Sequence, residues 1–151
     1  MDIPQAAIDL AKEFEGFHRV ITQRPIVTAV PYICPAGYWT VGYGHLCSSD
    51  HSPIDEATGV AYLTADLRSA LIATLRQCPV LTGESVSRLA AIVDFTFNLG
   101  AGRLQLSTLR RLINQRDWLE AARELRRWVY GGGKVLTGLV ARREAEVALL
   151  S

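Results

Sequence analysis

The fourteen residues from Tyr32 to His45 constrain this chain more than any others: Tyr32-Ile33-Cys34-Pro35-Ala36-Gly37-Tyr38-Trp39-Thr40-Val41-Gly42-Tyr43-Gly44-His45. Three glycines and a proline argue against a helix here, and the aromatic and β-branched residues between them favour strands. The spacing predicts a short antiparallel hairpin, with Tyr32-Ile33 facing Tyr38–Val41 across a Pro-Ala-Gly turn. A ribbon this small is marginal in water, so it must lean on the helical material around it. Chemistry is expected where ribbon and helices meet.

With 151 residues, 49% of them hydrophobic, the chain has the material for one domain with a single core. No stretch approaches the roughly 20 apolar residues that cross a bilayer. The start Met1-Asp2-Ile3-Pro4 lacks the basic and apolar regions of a secretion signal. A cytoplasmic chain without stable membrane insertion is the expectation. Cys34, Cys47 and Cys78 are odd in number and form no C-x-x-C pair, which favours reduced thiols and no structural metal; no cofactor is expected either. Residues 1–102 hold six Lys and Arg against ten Asp and Glu, whereas residues 103–151 hold ten against five. The basic part suits a polyanion such as an anionic bacterial envelope, or is simply a solvated helix surface, and both readings stand. No nucleic-acid partner is expected.

Ile8, Ala11 and Phe14 mark a first helix opening near Pro4 and stopping at Gly16. Glu15 thereby sits at a helix C-terminus, where the partial negative charge of the peptide carbonyls disfavours a carboxylate. A local rule broken in this way points to function. Phe17–Pro31 contains two extended runs split by Arg24-Pro25, so a loop or an additional ribbon fits. After a loop at 46–51, Ser52-Pro53 is read as the cap and first turn of a long helix, with Val60, Leu63, Leu67, Leu71 and Leu75 as its stripe to about Gln77. A broadly apolar helix at 84–98 is expected to be the buried centre of the helical part. Ser107 caps a helix over 108–114, and Asp117 caps one running to Val129. Gly131-Gly132-Gly133 reads as a flexible stop, and a last helix opens at Thr137 or Gly138. Trp118 and Trp128 suit core filling. The tally is an α+β chain.

Phe14-Glu15-Gly16 ahead of the Cys34-Pro35-Ala36-Gly37…Trp39-Thr40…Gly42-Tyr43-Gly44-His45 stretch resembles the signature of the phage-type lysozymes, the muramidases of glycoside hydrolase family 24. Phe97-Asn98-x-Gly100, Trp128-x-Tyr130-Gly131-Gly132 and Gly138-Leu139-x-x-Arg142-Arg143-x-x-Glu146 extend the likeness in order over nearly the whole chain. The resemblance implies one lysozyme-like domain over 1–151. Its small hairpin lobe would span about 16–52 and its larger helical lobe about 53–151 with the N-terminal helix, the two joined by a long helix around a cleft for peptidoglycan glycan strands. It implies Glu15 and Thr40 as catalytic residues. Cys34 stands where the family usually has Asp, as in some similar members. Arg142 or Arg143 would orient Glu15, and inversion at the anomeric carbon is implied.

Glycoside cleavage needs a carboxyl that still carries its proton, here Glu15, and a second group that activates water or attacks the sugar, here Cys34. A thiol does either only when ionised. Thr40 would hold the water. Substrate contacts are assigned to Asn98, Tyr43 and His45. Asn98 equally suits a helix cap, and His45 equally suits a structural partner for a carboxylate. Cys34 as a small buried hydrophobe remains a rival. The 19 residues from Glu15 to Cys34 are about twice the family's usual gap, which places an insertion within 18–31. Other classes weighed are a Cys34–His45 hydrolase, disfavoured because Cys34 does not open a helix, and a glycan-binding module of the same fold without activity. The expected role is a monomeric endolysin of phage or prophage origin, held in the host bacterial cytoplasm and reaching the periplasm and wall through a separate holin-type pore.

Overall fold

In the computed structural model, which describes residues 1–23 and 25–151, helix α1 covers Gln5–Glu15 and begins just after Pro4, as expected. It stops at Gly16, whose φ of +69° is a left-handed conformation that glycine adopts at little cost. Ala7, Leu10 and Ala11 are its buried residues, so the inward stripe is rotated from the Ile8, Ala11, Phe14 reading.

The chain divides into two compact units, Ala11–Asp66 and Met1–Leu10 with Leu67–Ser151. The first carries six short strands: β1 (Val20–Thr22), β2 (Thr28–Ala29), β3 (Tyr32–Ile33), β4 (Trp39–Val41), β5 (His45–Leu46) and β6 (Ile54–Asp55). They form two antiparallel sheets in the orders β1-β2-β6 and β3-β4-β5. The predicted hairpin is β3–β4, with Tyr32 opposite Thr40 and Ile33 opposite Trp39. Leu46, expected in a loop, instead pairs with Thr40 on a third strand. The segment after Phe17 is a ribbon, although Arg24 of its Arg24-Pro25 break lies outside the described residues.

That ribbon also corrects the start of the long helix. Ala29 pairs with Ile54 and Thr28 with Asp55, so 54–55 are strand where a first helical turn was expected. Burying Ile54 beside Ala29 wins over the Ser52-Pro53 signal. The Asp55 carboxylate then accepts the Thr58 N–H at 2.8 Å, and α2 runs from Glu56 to Gln77. Its 22 residues pass from one unit into the other, and Leu63, Leu67 and Leu71 of the predicted stripe are buried.

In the helical unit a 3₁₀ turn (Pro79–Gly83) precedes α3 (Val86–Leu99), followed by α4 (Ala101–Gln105), α5 (Thr108–Asn114), α6 (Trp118–Leu125) and α7 (Thr137–Leu150). Every residue from Leu89 to Thr96 is buried, which makes α3 the expected centre. Ser107 and Asp117 cap α5 and α6 as read from the sequence, and Ser85 caps α3. α6 ends at Leu125, four residues short of Val129. The glycine run is a tight hairpin rather than a loose stop. Gly132 and Gly133, both at positive φ, join β7 (Tyr130–Gly131) to β8 (Lys134–Val135). Trp128 packs edge-on against Phe95 at 5.4 Å, in keeping with core filling, whereas Trp118 lies under the Arg88 guanidinium at 4.2 Å.

Charge is buried between α3 and α7. Arg142 forks onto Asp94 at 2.8 and 2.9 Å, and Arg143 donates to both Glu146 and Asn98 at 2.7 Å. Burial pushes the Glu146 carboxyl above its usual range and draws the Arg143 guanidinium down. Both shifts express the cost of removing ions from water.

Two predictions follow from this packing. An alanine normally stabilises a helix interior by roughly 0.5–1 kcal/mol over glycine. At Gly59 of α2 its Cβ would lie 2.7 Å from the Phe17 ring, so Gly59→Ala lowers the thermal midpoint by about 1–2 kcal/mol of stability. Gly102→Ala, with nothing within 4 Å, raises it. Glu84 accepts from Arg116 and Arg88, each at 2.8 Å, and these bonds hold its pKa below the ordinary 4.5. Its stabilising contribution is therefore present above 4.5 and disappears as pH falls through the lower folded-state value. Chemical denaturation should find Glu84→Gln weaker than the parent at neutral pH, with the gap closing in acid.

Candidate active site

Glu15 ends α1, and the Gly16 turn sends the chain back beside the hairpin of its own unit. The β4–β5 connection is bent by Gly42 and Gly44, at φ +62° and +78°. A side-chain carbon on Gly44 would stand 2.9 Å from Glu15 Oε2. The carboxylate therefore lies directly against the turn, in space that exists only because residue 44 has no Cβ.

The residue between those glycines fastens the turn. Tyr43 is 6% exposed, its hydroxyl donates to Glu56 Oε1 at 3.0 Å, and its ring meets Phe17 at 5.4 Å. Burial, then Glu56, pushes its phenol pKa up. His45 sits one residue past the turn, with Nδ1 2.8 Å from Asp66 Oδ2 and its ring stacked on Tyr62 at 4.3 Å. This is the carboxylate partnership read from the sequence. Tyr43 and His45 thus tie the hairpin to α2.

Cys34 follows β3. Its N–H donates to the Tyr38 carbonyl at 2.9 Å, and its own carbonyl accepts from Gly37 at 2.8 Å, closing the Pro35-Ala36 turn. The residue is half-buried, whereas Cys78 is buried, and both are free thiols. Thr40 is 2% exposed and donates to the Tyr32 carbonyl at 3.3 Å.

Tyr32, which sequence reading did not select, links these groups. It pairs with Thr40 across the ladder. Its phenol pKa is raised, first by burial and then by the Glu15 carboxylate, while a hydrogen bond with the Thr40 hydroxyl pulls the other way. Glu15, Cys34 and Thr40 all lie in the same Ala11–Asp66 unit as this phenol. The signal available in the sequence was the ladder register, since a one-to-one hairpin across Pro-Ala-Gly puts residue 32 opposite residue 40. Asn98 belongs to the helical unit, where Arg143 occupies its Oδ1. Among the described residues no cluster of three His, Cys, Asp or Glu could hold a metal ion, and no helix is long and apolar enough to cross a membrane.

The Glu15–Gly44 contact can be read by a stability cycle. Gly37→Ala at φ +88° with open space costs strain alone, roughly 1 kcal/mol, whereas Gly44→Ala costs about twice that. In a Glu15→Ala background the Gly44→Ala cost should fall back to the Gly37→Ala level in urea titrations.

The chain is similar to known proteins over nearly its whole length. The Phage lysozyme family model matches residues 12–146. The endolysin of Bacillus phage B103 is 36% identical over 151 residues, covering 99% of this chain and 54% of its own, so the chain spans about half of that relative's length. The SAR-endolysin of Enterobacteria phage PA-2 is 36% identical over 126 residues, covering 80% of this chain and 73% of its own. Among solved structures, the muramidase domain of SpmX from Asticaccaulis excentricus superposes with a TM-score of 0.81 at 27% identity, covering 99% of this chain and 97% of that one. A P22 lysozyme mutant shares the fold, with a TM-score of 0.74 at 23% identity over 99% of this chain and 98% of that one. With the family model matched from residue 12 to 146 and relatives at 36% identity, this protein belongs to the phage lysozyme family.

Proposed function

We propose that the chain is a phage or prophage endolysin, a muramidase that hydrolyses the β-1,4 bond between N-acetylmuramic acid and N-acetylglucosamine in peptidoglycan. The observation that carries the reading is the Glu15 carboxylate held against Gly44, in the same unit as Cys34 and Thr40. Family membership and the muramidase and endolysin relatives support it.

In this reading Glu15 gives its proton to the leaving glycosidic oxygen while positive charge builds on the muramic acid ring. The Cys34 thiolate either takes a proton from water attacking the opposite face or attacks the anomeric carbon itself. Thr40, whose hydroxyl hydrogen is directed at the Tyr32 carbonyl, keeps lone pairs to accept a hydrogen from that water. The first route inverts the anomeric centre and the second retains it. Asn98, Tyr43 and His45 complete the proposal as glycan contacts, and the enzyme acts as a monomer that reaches the wall through a separate holin-type pore.

Turbidity loss of peptidoglycan suspensions tests the assignment. Glu15→Gln is expected to abolish lysis with the thermal midpoint preserved, Cys34→Ala to lose most of it and Cys34→Asp to retain it. New reducing ends in the soluble products mark glycoside cleavage, and the anomer released by the parent distinguishes the two roles of the thiol. Cys34→Ala lysing at the parent rate would remove Cys34 from the mechanism.

A further inference from the structure

Asn98 carries two readings from the sequence, a helix cap and a glycan contact, and the structure removes the first: it lies inside α3, whose caps are Ser85 and Gly100. Its side chain is held instead by α7. Arg143 Nη2 donates to Asn98 Oδ1 and to Glu146 Oε1, each at 2.7 Å, and its guanidinium lies over the Phe95 ring at 5.3 Å. Arg143 and Glu146 are both fully buried, and Arg143 Nε, Arg143 Nη1 and Glu146 Oε2 have no hydrogen-bond partner among the described residues. Apolar residues at 143 and 146 would hold α7 against α3 with less desolvation. What the pair does that apolar residues could not is hold the Asn98 amide. An arginine only donates, so the oxygen of that amide is the end that faces it. Nδ2 is thereby left on the other side of a half-buried residue, with no protein partner among the described residues.

We propose that Arg143, braced by Glu146, is a positioning residue that locks the Asn98 amide as a hydrogen-bond donor, and that Asn98 Nδ2 reads an N-acetyl carbonyl of the glycan. The inference rests on the glycan contact assigned to Asn98 in the proposed function. An unrestrained asparagine presents either end, because a half-turn of the amide exchanges its oxygen and nitrogen. Here that half-turn would set an NH2 group against a buried cation that has no lone pair, and the flipped state is strongly disfavoured. A fixed donor gains no selectivity from a sugar hydroxyl, which donates or accepts as required. It discriminates only for an oxygen that cannot donate, and the N-acetyl carbonyl of each sugar is such an oxygen.

N-deacetylation of peptidoglycan turns that carbonyl into an ammonium donor, and Asn98→Asp turns the Nδ2 donor into an acceptor while keeping an oxygen for Arg143. On acetylated wall Asn98→Asp should raise KM about tenfold, an acceptor then facing an acceptor, with kcat much less affected. N-deacetylated wall should raise the parent's KM by a similar factor and lower that of Asn98→Asp, so the preference crosses over. Arg143→Met, which frees the amide to flip, should raise KM on acetylated wall about twofold, since half of the amides then present the wrong end. Arg143→Lys, still only a donor, should restore the parent value, and where Arg143→Met does not fold, Asn98→Asp decides alone. Equal losses for parent and Asn98→Asp on N-deacetylated wall overturn the proposal, as does a preference that disappears when an amidase strips the stem peptides and the N-acetyl groups remain. Cosedimentation of Glu15→Gln and Glu15→Gln/Asn98→Asp proteins with the two walls reads the same crossover without catalysis. Failure of the lytic assignment and failure of this inference are thereby told apart.

Discussion

A carboxylate can rest against a strand turn only where the turn has no side chain to exclude it, and the organisation of the sheet-bearing unit follows from that one approach. Glu15 Oε2 would be 2.9 Å from a Cβ at residue 44, and Gly44 supplies the vacancy together with a left-handed φ. Gly16 supplies the matching condition on the other side, ending α1 at once so that the last side chain of the helix faces the hairpin. Neither glycine is replaceable by a residue that merely tolerates turns, because conformation and space are required at the same place. Once the approach is fixed, the rest of the unit serves to hold its two sides still.

That task is not given to a large core. The strands are two or three residues long, and sheets so short contribute little alone. The hairpin is instead tied to α2 by Tyr43–Glu56 and His45–Asp66, with Phe17, Ile54 and Gly59 packed beneath the Gly42 turn. The helical unit is built differently, around the continuously buried face of α3. Even there the ion pairs of Arg142 with Asp94 and Arg143 with Glu146 are buried against the preference of the charges. Such pairs stabilise weakly compared with apolar packing, because desolvation offsets much of their attraction.

Much of this was legible because short-range rules and tertiary packing agree. Gly16 as a stop, Pro35-Ala36-Gly37 as a turn, Ser107 and Asp117 as caps and α3 as the buried helix each follow from local chemistry that nothing overrides. The misreadings arose where a neighbour distant in sequence decides. Ser52-Pro53 looks like a helix start until Ala29 claims Ile54 for a sheet. Gly131-Gly132-Gly133 looks flexible until Tyr130 and Val135 pair across it. Glu15, Cys34 and Thr40 were selected through the family signature, whereas the place of Tyr32 opposite Thr40 follows from the ladder register.

A distant partner also decides the conformation of the 18 residues between Glu15 and Cys34. Doubling a loop costs only about 0.6 kcal/mol of closure entropy when the loop is slack, so length alone does not threaten the geometry of its ends. This segment is not slack. Val20 pairs with Ala29, and Ala29 in turn with Ile54, so its ribbon is sewn to the strand that leads into α2. The α2 helix is where the hairpin is also tied, at Glu56 and Asp66. Ribbon and hairpin therefore share one anchor, and residues 18–31 brace the hairpin that carries Cys34.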